Sequence, residues 1–106
     1  MGVGMQIVYF GFAGSGELES EAGAQLVRLE RYSNLLAGCH LAIEAMPVRS
    51  GQRCYDVRLD LRLGGHHLLP LDHCSGEDPR AAIRQAFDRA DETLKKIAAD
   101  RLHRPG

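Results

Sequence analysis

The strictest pattern in the chain is Tyr55-Asp56-Val57-Arg58-Leu59-Asp60-Leu61-Arg62-Leu63, where apolar and charged residues alternate without a break. Successive side chains on a strand point to opposite faces, so this spacing predicts a strand with one buried face and one wet face. Such a strand is stable only within a sheet whose apolar side is covered. The rest of the chain supplies that sheet and its cover. Gln6-Ile7-Val8-Tyr9-Phe10 is β-branched and aromatic and reads as a first strand; His40 to Met46 reads as a second. Pro47 to Gly51 is a turn and Gly64-Gly65 a hairpin turn. His66 to Asp72 reads as a fourth strand. Its Pro70 cannot donate a ladder hydrogen bond, which places that strand at an edge.

Two segments carry the helical period instead. Leu18, Ala22, Leu26, Leu29 and Leu36, with Tyr32 at the margin, predict an amphipathic helix capped by Ser15 or Gly16 and ended by Gly38. Gly23 inside it costs about 1 kcal/mol relative to alanine, so this helix depends on its tertiary contacts. Pro79, preceded by Asp78 as cap, opens a second helix that buries Ile83, Ala86, Phe87, Ala90, Leu94 and Ile97. Arg104-Pro105-Gly106 reads as a frayed end. The order is β-α-β-β-β-α. Strands one and two become parallel neighbours through a right-handed crossover, and strands two to four an antiparallel meander. The fold class is α+β: a two-layer sandwich with a four-stranded mixed sheet and both helices on one face.

The totals bound the function. At 106 residues there is room for one domain and one core, sufficient to fold without metal or disulfides. Three cysteines without paired spacing (Cys39, Cys54, Cys74) suggest reduced thiols and a cytoplasmic location. No apolar run reaches the ~20 residues that span a bilayer, and the first residues lack the basic flank of a secretory signal. Thirteen Lys and Arg against fourteen Asp and Glu exclude a polyanion binder that works by bulk charge. Any contact with RNA must rest on where the cations lie.

The segments Leu26-Val27-Arg28-Leu29-Glu30-Arg31-Tyr32, Glu77-Asp78-Pro79-Arg80-Ala81-Ala82-Ile83, and Asp88-Arg89 through Leu94-Lys95-Lys96 occur in an order and spacing that carry a resemblance. Over residues 5 to 98 the chain resembles the short hibernation-promoting factors, also known as ribosome-associated inhibitor A or sigma-54 modulation proteins. The resemblance implies a fold related to the double-stranded RNA-binding domain and a protein that is not an enzyme and needs no cofactor. Its implied partner is the small ribosomal subunit, where it would occupy the decoding region and block messenger and transfer RNA during starvation or cold. By position, the implied rRNA-phosphate contacts are Arg28, Arg31, Arg89 and Lys96. Two further basic positions of the family fall on Gln25 and Glu92, and Glu17 and Glu21 flank Arg28. Arg89, Lys96 and His103 are seven apart and project on one side of their helix. Tyr32 is expected to pack against the helix pair rather than stack on a base. The long form's second, dimerising domain is not expected.

Other readings are weaker. Arg58 and Arg62 among Asp56 and Asp60 read as cross-strand ion pairs on the wet face. Cys39-His40, His66-His67 and His73-Cys74 offer zinc-type donors, but no Cys-x-x-Cys or His-x-x-x-His spacing, so no metal is expected. Gly11 to Gly16 lacks the Gly-Lys-Ser/Thr of a phosphate loop and reads as a turn. Cys39 and Cys54 read as buried strand residues. The competing function is a protein-interaction module on the same scaffold that has left rRNA behind.

Overall fold

The computed structural model describes residues 2–103, apart from the side chains of His66, Leu102 and His103. The alternating segment forms β3 (Tyr55–Leu63), with the predicted limits. It is hydrogen-bonded on both sides. β1 (Gly4–Phe10) pairs in parallel with β2 (Leu36–Ala45), and β2 pairs antiparallel with β3. The far side of β3 carries two short strands in succession, β4 (His67–Pro70) and β5 (Cys74–Gly76).

Cross-strand rows build the core. Met5, Cys39, Leu61 and Leu69 stand in one row; Tyr9, Ile43, Val57 and Cys74 stand in another. Between them lie Ile7, Leu41 and Leu59. Helix α2 (Pro79–His103) packs on β3 and β5, and α1 (Gly16–Leu29) packs beside α2. Leu18, Ala22 and Leu29 of α1 join Ile83, Phe87, Ala90 and Leu94 of α2 in the same buried cluster as the strand residues. Both helices therefore cover one face, as the sequence predicts.

Local chemistry sets most boundaries. Ser15 Oγ accepts from the Leu18 N–H (3.2 Å) and caps α1. Asp78 Oδ1 accepts from the Arg80 N–H (3.0 Å) beside Pro79, whose missing donor costs nothing in a first turn. At the β2–β3 tip, Arg49 and Gln52 exchange two backbone hydrogen bonds across Ser50 (φ 54°) and Gly51 (φ 75°). Two consecutive left-handed residues match the twist of a tight hairpin.

Four expectations are corrected. First, α1 ends at Leu29, not near Gly38; a 3₁₀ turn (Glu30–Tyr32) follows, and β2 begins at Leu36. Leu29, Tyr32 and Leu35 recur every third residue, which a 3₁₀ turn buries as well as an α-helix would. Gly38 lies inside β2, just after a register shift in the pairing with β3, and does not end a helix. Second, the fourth strand is shorter and interrupted. Asp60 faces Pro70 but Val57 faces Cys74, so one extra residue between them forms a bulge. The slip turns Cys74 into the core and His73 outward. Third, Cys54 precedes β3 and is half-buried, while Cys39 and Cys74 are buried. Fourth, the outer face of β3 lacks the expected cross-strand pairs: Arg58 meets Asp60 on its own strand, and Asp56 bonds His73 and Ser75. The frayed end expected at residues 104 to 106 lies outside the described residues.

Glycines give a direct stability test. Gly14 has φ 78° and a Cβ there would sit 2.4 Å from the Tyr9 ring, whereas Gly23 meets open space. Urea melts should show Gly14→Ala losing about 2 kcal/mol through strain and overpacking. Gly23→Ala should gain up to about 1 kcal/mol in the same melts.

Candidate nucleic-acid interface on the helical face

The two helices run in the same direction and meet along a charged seam. Near their starts, Glu21 of α1 receives Arg80 Nε (3.4 Å) and Arg84 Nε (3.3 Å) from α2, with Gln25 Nε2 at 2.9 Å. Two turns on, the polarity reverses. Arg28 Nη1 donates to Asp88 Oδ1 at 2.8 Å, and Arg31 Nη2 donates to Asp91 Oδ1 at 2.5 Å. Arg28 also lies 3.8 Å from the other Asp91 oxygen. This sign change along the seam fixes the register of one helix against the other.

Asp91 is the most heavily used residue. The Tyr32 hydroxyl donates to its Oδ1 at 3.1 Å, and Arg31 lies over the Tyr32 ring at 4.9 Å. Burial pushes the Asp91 carboxyl up, but the hydrogen bonds from Arg31 and Tyr32 and the charges of Arg31 and Arg28 bring it below its usual value. Glu21 is lowered by the Gln25 hydrogen bond first, against burial, with Arg84 and Arg80 adding to the effect. Burial, then the Asp91 bond, raises the Tyr32 hydroxyl. Tyr32 packs against the helix pair, as expected.

The segment Leu29-Glu30-Arg31-Tyr32 thus acts as a structural junction. Leu29 is fully buried, and both Glu30 carboxylate oxygens accept from the Val3 N–H at 3.1 Å. Arg31 and Tyr32 grip α2. Gln25, at a position where a cation was expected, bridges Glu21 and the Arg28 guanidinium (2.7 Å). That bridging role accounts for the uncharged side chain.

The four predicted contact residues do not form one stripe. Arg28 and Arg31 are brought together at the seam by Asp91, each engaged with carboxylates of the other helix. Arg89 points away from the seam, toward Asp72 on the β4–β5 link (3.7 Å). Lys96 is exposed and makes no ion pair among the described residues. Asp88, Asp91 and Glu92 lie between the two sets on the surface of α2. His103, expected to align with Arg89 and Lys96, has a side chain outside those described.

Sequence reasoning passed over a second group. The last buried residue of α2 is Leu94; beyond it Ile97 and Ala98 are half-buried, and Ala99, Asp100 and Arg101 are exposed. Ile97 and Ala98 still pack against the core, so the exposed overhang begins at Ala99. Lys95, just before it, and Arg101, within it, line a cleft of about 450 Å³ with Arg31, Tyr32, Asn34, Leu35 and Ala98. Neither Lys95 nor Arg101 makes an ion pair among the described residues. The signal was the adjacent Lys95-Lys96 pair on the solvent side of the last apolar turn, with Arg101 following it. Among the described residues no group of three or more His, Cys, Asp or Glu can hold a metal, and no helix is long and apolar enough to cross a membrane.

Acid should loosen the seam. Both carboxyls are held below their ordinary values of 4.5 (Glu21) and 3.8 (Asp91). Their contribution to stability is full above those values and is lost as pH falls through the lower folded values. Asp91→Asn should cost about 2 kcal/mol at pH 7, since it removes charge-assisted bonds to two arginines. Thermal melts from pH 7 down to pH 2 should show the gap between variant and wild type shrinking.

Comparison with known proteins follows this geometry. The family model described as sigma 54 modulation protein / S30EA ribosomal protein matches residues 5–101. A ribosomal subunit interface protein from Coxiella burnetii superposes with a TM-score of 0.74 at 14% identity, over 92% of this chain and 99% of that one. The N-terminal domain of Protein Y from Thermus thermophilus gives a TM-score of 0.70 at 18% identity, with the same coverage. At these identities the two structures establish the fold. No curated protein sequence matches the chain.

Proposed function

Because this chain belongs to the sigma 54 modulation protein / S30EA ribosomal protein family, we propose that it binds the small ribosomal subunit through rRNA phosphates. On this reading it sits in the decoding region and excludes messenger and transfer RNA by occupying their place. No bond is made or broken, no cofactor takes part, and the whole chain acts as one ribosome-binding domain in the cytoplasm.

The observation that carries this reading is the overhanging end of α2. Lys95, Lys96 and Arg101 make no ion pair among the described residues; Lys95 and Arg101 share a cleft with Arg31, and Lys96 lies on the adjoining surface with Glu92 and Ala99. Cations already desolvated by carboxylates attract phosphate weakly; unpaired ones release counterions from the RNA when they bind. The seam arginines can still contribute. Asp88 and Arg28 are both substantially exposed, and exposed pairs are worth about 0–1 kcal/mol, so exchanging Asp88 for a phosphate costs little. Arg89 has an equally weak hold on the exposed Asp72. Arg28, Arg31, Arg89 and Lys96 therefore act as contacts, with Lys95 and Arg101 added. Near-neutral net charge is compatible with this because the four carboxylates of α2 are answered by six cations on the same helix.

A second reading, a protein-interaction module without rRNA, is favoured by the pairing of Arg28 and Arg31. It predicts a cellular complex free of RNA.

Co-sedimentation with small subunits at graded salt separates the two. Wild type should pellet at low salt. Replacing Lys95, Lys96 and Arg101 with Ala should lower the slope of log K against log salt by about 2 and weaken binding about tenfold or more. Asp88→Asn, which releases Arg28, should bind more tightly than wild type. Failure of wild type to pellet, or a triple variant that pellets like wild type, contradicts the proposal.

A further inference from the structure

Val8, Phe10 and Leu68 are three of the six exposed large apolar residues among those described, and all lie on the sheet face turned away from the helices. They border a hollow of about 230 Å³ whose wall also includes Ala42, Arg58 and Asp60. Asp60 is anomalous. It is only 9% exposed, its Oδ1 has no hydrogen bond, and Oδ2 meets only the Arg58 Nε at 3.5 Å. A carboxylate withdrawn from water with one long ion pair as its sole bond among the described residues is costly to the fold, and its charge attracts a donor that can reach Oδ2 from the hollow.

We propose that this face docks an extended segment of a partner protein in which an arginine or lysine lies between apolar residues. The cation would bond the accessible oxygen of Asp60, and the apolar neighbours would cover Val8, Phe10 and Leu68. The surrounding charge favours such a segment. Glu44 and Asp56 face each other across β2 and β3 beside Phe10, so the face carries three carboxylates against Arg58 and Arg62, with His40 opposite Asp60 and His73 bonded to Asp56. That balance repels a phosphate backbone and draws a cation. Every second side chain of an extended segment faces the sheet, so the cation and its apolar partners stand two positions apart along that segment. This inference is independent of the rRNA proposal, which uses the opposite face.

The test titrates the isotope-labelled full chain with acetyl-Val-Thr-Arg-Thr-Val-amide, whose arginine and two valines share one face when extended, and follows backbone amide shifts by NMR. Saturable shifts are expected at Val8, Ala42, Asp60 and Leu68. The same peptide with glutamine for arginine should bind about tenfold more weakly, since it loses the charge-assisted bonds. Asp60→Asn should weaken the arginine peptide by a similar factor. Leu68→Ser, at an exposed position that leaves the core untouched, should weaken it also, so the inference stays testable if Asp60→Asn does not fold. No saturable shift at these amides overturns it, as does an equal response to the glutamine peptide. It is equally overturned if dilution of the protein alone, or a single-stranded RNA oligonucleotide, moves the same amides to saturation.

Discussion

Asp91 ties the fold to the surface that we assign to RNA. One carboxylate accepts from Arg31 and Tyr32 and faces Arg28, so it joins the 3₁₀ turn, the end of α1 and the middle of α2 at a single point. The turn in turn holds the start of β1 through Glu30 and Val3. Without this junction the chain that leaves α1 has no fixed direction in which to enter β2. The same carboxylate neutralises arginines that would otherwise be the strongest phosphate ligands on that face. Structure and recognition compete for the same guanidinium groups, and the competition is resolved by distance. Pairs near the core stay paired, and cations beyond the last buried turn of α2 stay available.

The two sides of the molecule differ accordingly. The helical side mixes cations and carboxylates but ends in a cationic overhang. The outer side of the sheet mixes apolar residues with carboxylates, and its one deeply placed charge, Asp60, is incompletely bonded. A protein with almost no net charge can therefore present surfaces of opposite character. Total charge describes neither surface; the local balance of each does.

Much of the fold was legible because its signals are local. β3 was readable residue by residue from alternation, the caps at Ser15 and Asp78 from their side chains, and the edge position from Pro70. The end of α1 was not, since Leu29, Tyr32 and Leu35 satisfy a three-residue period and a helical one alike. The bulge between β4 and β5 was hidden because one inserted residue leaves composition unchanged. The candidate site was half legible. Position within a motif nominates Arg28, Arg31, Arg89 and Lys96, but no sequence pattern says that Asp88 and Asp91, sixty residues along the chain, sit against the first two. Nor does a sequence show that Lys95 and Arg101 meet no carboxylate among the described residues.

The most direct measurement places a photoreactive benzoylphenylalanine at Ala99, an exposed residue beside Lys95 and Lys96 in the overhang, and irradiates the full chain with purified small subunits. The account predicts a covalent adduct with the subunit's rRNA that disappears as salt rises. A complex that pellets yet cross-links at Ala99 only to protein, or to nothing, would contradict it.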